Sequence, residues 1–365
     1  MCTALLYRDT NGNAYAGRTL ELPVEMPYRI AFLPAGRSYE SEVQGSAALR
    51  YKTTYPILSV TVPFAPDDLK IVEGLNGEGL TFSALSYPGA AGPQTAFEKT
   101  KAALSAVDLG SWTLGQFATV AQVKEALANQ PVLLAPLAIL GGALTPFHYV
   151  LHDRTGASIV VEFSGGAQSV YDNPVGVMTN GPAFSWHLTN LGNYTFLSNV
   201  DRSERQFGAL QVAQPDSGIA TAGLPASNTS VGRFVRAAYY AQFAEKVSAP
   251  DDALRTLAHV MNNFDRPKGI SVDPRGGGGG IEAGASGGAG SAGPVTSEYT
   301  SWTALTDLGR TKLLLRTYAG LNYTAFDLGR LSAAGGMKVM PLAVLDRMAE
   351  DGSALLLEAE SPAGA

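Results

Sequence analysis

The chain has 365 residues, of which 45% are hydrophobic and only 16% charged, and its 26 Lys+Arg against 32 Asp+Glu give a formal net charge of −6. That mixture can bury a sizeable core and excludes a disordered chain, while a pI near 5.3 without a basic run excludes a nucleic-acid footprint. One cysteine excludes an intrachain disulfide and a thiolate-built zinc site, and four histidines leave little room for an all-His metal site.

The opening, MCTALLYRDTNGN, has neither a basic n-region nor a long apolar stretch, so no signal peptide is expected. Cytoplasmic is the default reading, although a chain whose signal peptide had been replaced by Met would look the same. LYRDTNGNAYAGRTL predicts a hairpin around Asn11-Gly12. YPILSVTVPF (55–64) and LTFSALSY (80–87) alternate like strands, and EGLNGEG (73–79) between them reads as a tight turn without dinucleotide-binding spacing. A helix is expected over 120–128, with Thr119 as N-cap and Gln122 completing a capping box. The most apolar stretch, 131–147, carries three prolines and a Gly pair, so it reads as buried strand and loop and not as a membrane span. HYVLHD and SIVVEF (158–163), split by Thr155-Gly156, predict a second hairpin. Helices are expected near 232–246 and 251–262, a strand at 312–318 and a final helix at 342–351. Residues 275–294 are dominated by Gly and are expected to form a flexible loop within a single domain spanning 1–365.

Most candidate sites fail on context. Ser286 sits in a formal G-x-S-x-G match, but that elbow needs a preceding strand and a following helix. His148 and His152 share a face of a strand-like run without a third ligand at a recognisable spacing, so a surface or core role outweighs metal binding. The Asn-x-Ser/Thr sequons at Asn193, Asn228 and Asn322 mean nothing without secretion.

Cys2 stands out by position. Its small side chain permits removal of Met1, which would leave a residue with both a thiol and a free α-amine. Reference pKa values of about 8.5 and about 7.7–8.0 let the amine serve as base for the thiol near neutral pH. The competing reading is a chance residue in a first strand.

The surroundings decide between them. Cys2-Thr3-Ala4, followed by Ala16-Gly17-Arg18-Thr19-Leu20-Glu21, resembles the start of the choloylglycine hydrolases, the N-terminal nucleophile (Ntn) family of bile salt hydrolases and penicillin V acylases. In the same order, EGLNGEGLTFSALSYPG (73–89) is similar to the family's Asn-x-x-Gly-Leu turn and following strand. GVMTNGPAFSWHLTNLGNY (176–194) is similar to its Val-Met-Thr-Asn-x-Pro block, and GRFVRAAYY (232–240) to its Arg-Phe-x-Arg helix start. TSEYTSWTALTDL (296–308) is weakly similar to its late strands.

The resemblance implies an α+β fold, a four-layer αββα sandwich with two antiparallel sheets between helix layers, and a homotetramer. It makes Cys2 the nucleophile, with its α-amine as general base and later acid. Arg18 becomes the cation beside the thiol, Asn180 the oxyanion donor and Arg233 the second active-site arginine. Two positions depart from the family: Glu21 stands where Asp is usual, and Ser86 where bile salt hydrolases place Asn and penicillin acylases Tyr. Tyr87 is the neighbouring substrate-binding candidate, though strand alternation would turn it to the opposite face. A hydrophobic acyl pocket is expected from loops near 22–28, 56–66 and 130–147, with Leu22, Met26, Tyr28, Pro63, Phe64, Leu137 and Ile139.

The expected function is hydrolysis of a linear, non-peptide amide in a small molecule with a hydrophobic acyl group, without metal or organic cofactor, nucleic acid or membrane span. The expected substrate is a conjugated bile acid or a penicillin V-like amide. The alternatives are an acyl-homoserine lactone or fatty-amide acylase, or a degenerate acyl-binding member.

Overall fold

The computed structural model describes residues 1–65, 68–93, 102–274, 295–349 and 353, so the Gly-rich stretch expected as a loop at 275–294 lies outside the described residues. The chain opens with strands β1 (Cys2–Arg8), β2 (Ala14–Leu22), β3 (Arg29–Leu33) and β4 (Ile57–Ala65). Next come β5 (Asp68–Asn76), β6 (Thr81–Ser86), β7 (Phe147–His152), β8 (Ser158–Ser164), β9 (Ala167–Asp172) and β10 (Val177–Met178). The late strands are β11 (Tyr299–Asp307), β12 (Lys312–Thr317), β13 (Thr324–Asp327) and β14 (Lys338–Pro341). They build a six-stranded sheet, β10-β1-β2-β11-β12-β13, and an eight-stranded sheet, β9-β8-β7-β6-β5-β4-β3-β14. Every pairing within them is antiparallel.

The layers follow from side-chain alternation. Val60, Leu85, Val150 and Val160 of the larger sheet share a core with Ala4, Leu20 and Trp302 of the smaller one. Phe82, Tyr149, Leu151 and Ile159 belong to a second core with helices α1 (Leu109–Gln116) and α2 (Val120–Leu127). Helices α4 (Ser230–Phe243) and α5 (Pro250–Asn262) cover the smaller sheet, and the short α3 (Phe184–Asn190) follows β10. This is the αββα sandwich.

The expected local signals hold. In the first hairpin, the Asp9 carboxylate accepts from the N–H of Asn11 and Asn13, closing the turn around Gly12, whose φ is 82°. Thr119 and Gln122 form the capping box of α2, and Thr229 caps α4 through the Gly232 N–H. The stretch 131–147 is strand and loop, with short pairings at 132–133, 136–137 and 143–144, but it is buried only in part: Val132, Leu133, Leu134, Leu137 and Leu140 are buried, whereas Gly141, Gly142 and Leu144 are exposed.

Two readings need correction. Of 73–79, only 77–79 is turn, because Glu73–Asn76 completes β5. Of the final helix expected over 342–351, the described residues form only a 3₁₀ turn over Leu342–Leu345, and 350–351 lie outside them. Beyond it, the Arg347 carbonyl accepts from the Leu321 N–H and Met348 is exposed, so among the described residues 346–349 no apolar face holds a helix together.

Gly79 makes the β5–β6 turn possible. Its φ is +78°, and an added Cβ would lie 2.3 Å from the Leu308 carbonyl oxygen. Gly79→Ala therefore meets left-handed strain and a backbone clash together, on the order of 1–3 kcal/mol. The expected result is a Tm several degrees lower in thermal melts; an unchanged Tm would show that the turn relaxes freely.

Candidate active site

Cys2 opens β1, and the β1–β2 hairpin pairs it with Leu20 while Ala4 faces Arg18. Cys2 and Arg18 are thus diagonal neighbours on one sheet face, a span that a long side chain can bridge. Arg18 does so: its Nη2 lies 3.6 Å from Cys2 Sγ and also donates to the Ala84 carbonyl. Its Nη1 faces the Glu73 carboxylate at 3.5 Å, and its Cζ lies over the Trp302 ring, 4.7 Å from the centroid.

Asn180 follows β10, the edge strand that pairs with β1. Its Oδ1 accepts the Cys2 N–H at 2.8 Å and Arg233 Nη2 at 2.7 Å. Because Arg233 can only donate, it fixes the amide orientation and turns Nδ2 toward the Ser86 carbonyl, 2.7 Å away. That bond uses one of the two N–H groups on Nδ2. Arg233, in the first turn of α4, is fully buried and also donates to the Cys2 carbonyl and the Thr3 hydroxyl.

Glu21 sits at a bulge where β2 meets β11. Its backbone exchanges hydrogen bonds with Met1 in both directions, and its carboxylate accepts from the Thr300 hydroxyl, not from the Cys2 nitrogen. Complete burial raises its pKa against the opposing pull of Arg233 and the N-terminus. The Met1 ammonium pairs with Glu298 at 3.1 Å, and Glu298 pairs in turn with buried Arg266. With Met1 in place, the Cys2 nitrogen is an amide.

Glu73 is equally buried. Desolvation raises its pKa to about 7, opposed by Arg18 and the Ser83 hydroxyl. Its folded value therefore exceeds the ordinary 4.5. The stabilising contribution of the protonated form is complete below about pH 4.5 and is lost as pH rises through 7. Glu73→Gln, which stays neutral, is expected to raise Tm at pH 8 and leave it nearly unchanged at pH 5. Melts showing no pH-dependent difference would reject this linkage.

Beside Cys2 opens an apolar cleft of about 760 Å³, counted with its mouth to solvent. Leu22, Met26, Tyr28, Phe64, Leu137, Ile139 and Ser86 line it, joined by Val62, Ile71 and Val72. Lys70, the charged residue in the lining, pairs with Asp68 at 2.6 Å and Asp108 at 2.7 Å. Burial opposes its charge, but the two carboxylates outweigh that and raise its pKa. Pro63 and Tyr87 are not in the lining. Pro63 lies between Val62 and Phe64, which line the cleft, and Tyr87 stacks on His148 with ring centroids 4.8 Å apart and donates to or accepts from Ser164.

The structure adds groups that sequence reasoning did not single out for the site. His187 Nε2 lies 2.8 Å from the Asn180 carbonyl, and Ser230 Oγ accepts the Asn180 N–H at 2.9 Å. His148 holds the preceding Thr179 carbonyl at 3.0 Å. Its even spacing from His152 reported the strand face, but not this partner.

The arrangement combines a thiol beside a buried guanidinium, an amide donor and an apolar cleft. A profile described as "Linear amide C-N hydrolases, choloylglycine hydrolase family" matches residues 2–277. The conjugated bile acid hydrolase of Lactobacillus acidophilus is 33% identical over 245 residues, covering 66% of this chain and 74% of that protein. The bile salt hydrolase/transferase of Clostridium perfringens is 29% identical over 269 residues, covering 74% and 80%. In fold, the chain is similar to a crystal structure of a conjugated bile acid hydrolase variant from Clostridium perfringens, with a TM-score of 0.79, 24% identity, and coverage of 96% and 99%.

Proposed function

The chain belongs to the choloylglycine hydrolase family and is a linear amide C–N hydrolase; from that membership we propose that Cys2 is its nucleophile once Met1 is removed. The observation that carries this is Cys2 itself, with Sγ 3.6 Å from the buried Arg18 guanidinium and its nitrogen on Asn180.

With Met1 gone, the α-amine takes the thiol proton and the sulfur attacks the amide carbonyl. The free N–H of Asn180 Nδ2 supports the oxyanion. The α-ammonium then gives its proton to the departing amine, and water activated by the same amine releases the carboxylic acid. Arg233 holds the N-terminal segment against Asn180 in this scheme, through the Cys2 carbonyl, the Thr3 hydroxyl and Asn180 Oδ1, whereas the backbone partner of Glu21 leaves with Met1. Arg18 places its positive charge 3.6 Å from the attacking sulfur.

The substrate is a conjugated bile acid or a penicillin V-like amide, with the apolar acyl part in the cleft. Support comes from the names of relatives, bile acid hydrolases and a penicillin V acylase of Pectobacterium atrosepticum, and from a lining in which the cation Lys70 is already paired. Among the described residues, no helix is long and apolar enough to cross a membrane. The working form is a homo-oligomer, with the exposed Phe196, Phe207 and Leu210 around the hairpin 204–213 as contacts.

The test combines intact mass with release of free amine from glycocholate, penicillin V and an acyl-homoserine lactone. Loss of the Met1 mass with turnover of glycocholate or penicillin V is the expected result. A Met1-free, folded protein that turns over only the lactone would move the substrate class, and one that turns over nothing would remove the catalytic reading.

A further inference from the structure

Glu73 is a buried carboxylate that the steps above do not use. It lies on β5, opposite Ser83 of β6, and points at Arg18 of β2. Arg18 is therefore held from two sides: Nη1 faces the Glu73 carboxylate at 3.5 Å, and Nη2 faces Cys2 Sγ at 3.6 Å. The Trp302 ring covers one face of the guanidinium, and the Val72 and Ala84 carbonyls accept at its edge. A guanidinium so enclosed has no room to leave the thiol, and its single charge is shared by two acidic groups.

We infer that Glu73 is a positioning residue for the reaction, holding Arg18 on the Cys2 sulfur and dividing the guanidinium charge between its own carboxylate and the thiolate. The inference rests on Cys2 being the nucleophile. Thiolate and carboxylate are two anions competing for one cation, so ionising either opposes ionisation of the other. The other groups facing this unit are Ser83 beside Glu73, and Arg233, Tyr28 and Asn180 around Cys2. The α-amine that appears with Met1 removal joins them. A folded value of about 7 for Glu73 puts this competition in the working range of an amine-assisted thiol.

The experiment is the pH profile of Cys2 alkylation by iodoacetamide in Met1-free wild type, Glu73→Gln and Glu73→Asp. The α-amine is common to all three, so the difference isolates residue 73. Glu73→Gln frees the whole Arg18 charge for the sulfur. Its profile is expected to move about one pH unit lower, which is about tenfold faster alkylation on the acid limb. Glu73→Asp is expected to return the profile toward wild type. A Gln profile that superimposes on wild type, or moves higher, overturns the inference, because Gln keeps the shape and a merely structural role would not move a midpoint.

A second measurement needs no substitution. The ¹³C carboxyl titration of Glu73 in wild type is expected to move lower once Cys2 carries a neutral carbamidomethyl group, and an unmoved titration also overturns the inference. If wild type neither alkylates at Cys2 nor releases amine, the proposed function itself fails. If it does both while the Gln profile is unchanged, only the role of Glu73 fails.

Discussion

Cys2→Ser is expected to lower kcat/KM by at least about a hundredfold, because a hydroxyl near neutral pH stays protonated and gains little from a neighbouring cation. The substitution is nearly isosteric. It leaves the Cys2 N–H on Asn180 Oδ1, the Cys2 carbonyl on Arg233 and the strand pairing with Leu20 as they are. Serine is also small enough to permit Met1 removal, so mass spectrometry can establish that both proteins start at residue 2. The loss then belongs to the nucleophile and not to the scaffold, and Tm should be nearly unchanged. Steady-state amine release checks it; a serine variant with wild-type turnover would rule out attack by residue 2.

Asn180→Ala is expected to lower kcat by roughly 10²–10³, the usual cost of deleting one oxyanion donor. It also removes an acceptor from buried Arg233 and from the Cys2 nitrogen, so part of the loss would come from disordering the N-terminal segment. Asn180→Asp separates the two. The carboxylate keeps acceptors for both partners but has no N–H to offer, so a rate loss as large as that of alanine, with a Tm closer to wild type, would identify the missing donor. A small effect of both substitutions would leave Asn180 as the holder of Arg233 alone.

Arg18 and Glu21 were singled out by the resemblance to the family, and what the sequence made legible locally is the hairpin that carries them. Alternation along β1 and β2 fixes which side chains share a face, and the Asn-Gly turn fixes the pairing within a few residues. Trp302 beneath Arg18 and Thr300 beside Glu21 were not legible, because the pairing of β2 with β11 spans almost the whole chain and includes a bulge. No local pattern reports a register shift. Tyr87 shows the other case, because alternation along the strand already turned it to the face opposite Ser86. Its neighbour Ser86 lines the cleft, whereas Tyr87 turns away onto His148.

By itself, the sequence determined the hairpins, the capped helices, the absence of a thiolate zinc site and, through its spaced blocks, the identity of the chemistry. These depend on short-range periodicity, on turn and cap residues, and on residue types that must recur in order. Only the tertiary structure decided that Glu73 stands behind Arg18, that His187 and Ser230 hold the Asn180 backbone, and that β5 supplies one wall of the cleft. Those contacts arise where two sheets and a helix meet, between residues as far apart in sequence as Arg18 and Glu73 or Asn180 and Ser230. The physical reason is that hydrophobic alternation tells each strand which face to bury, but convergence of polar groups is set by how the buried faces pack against one another.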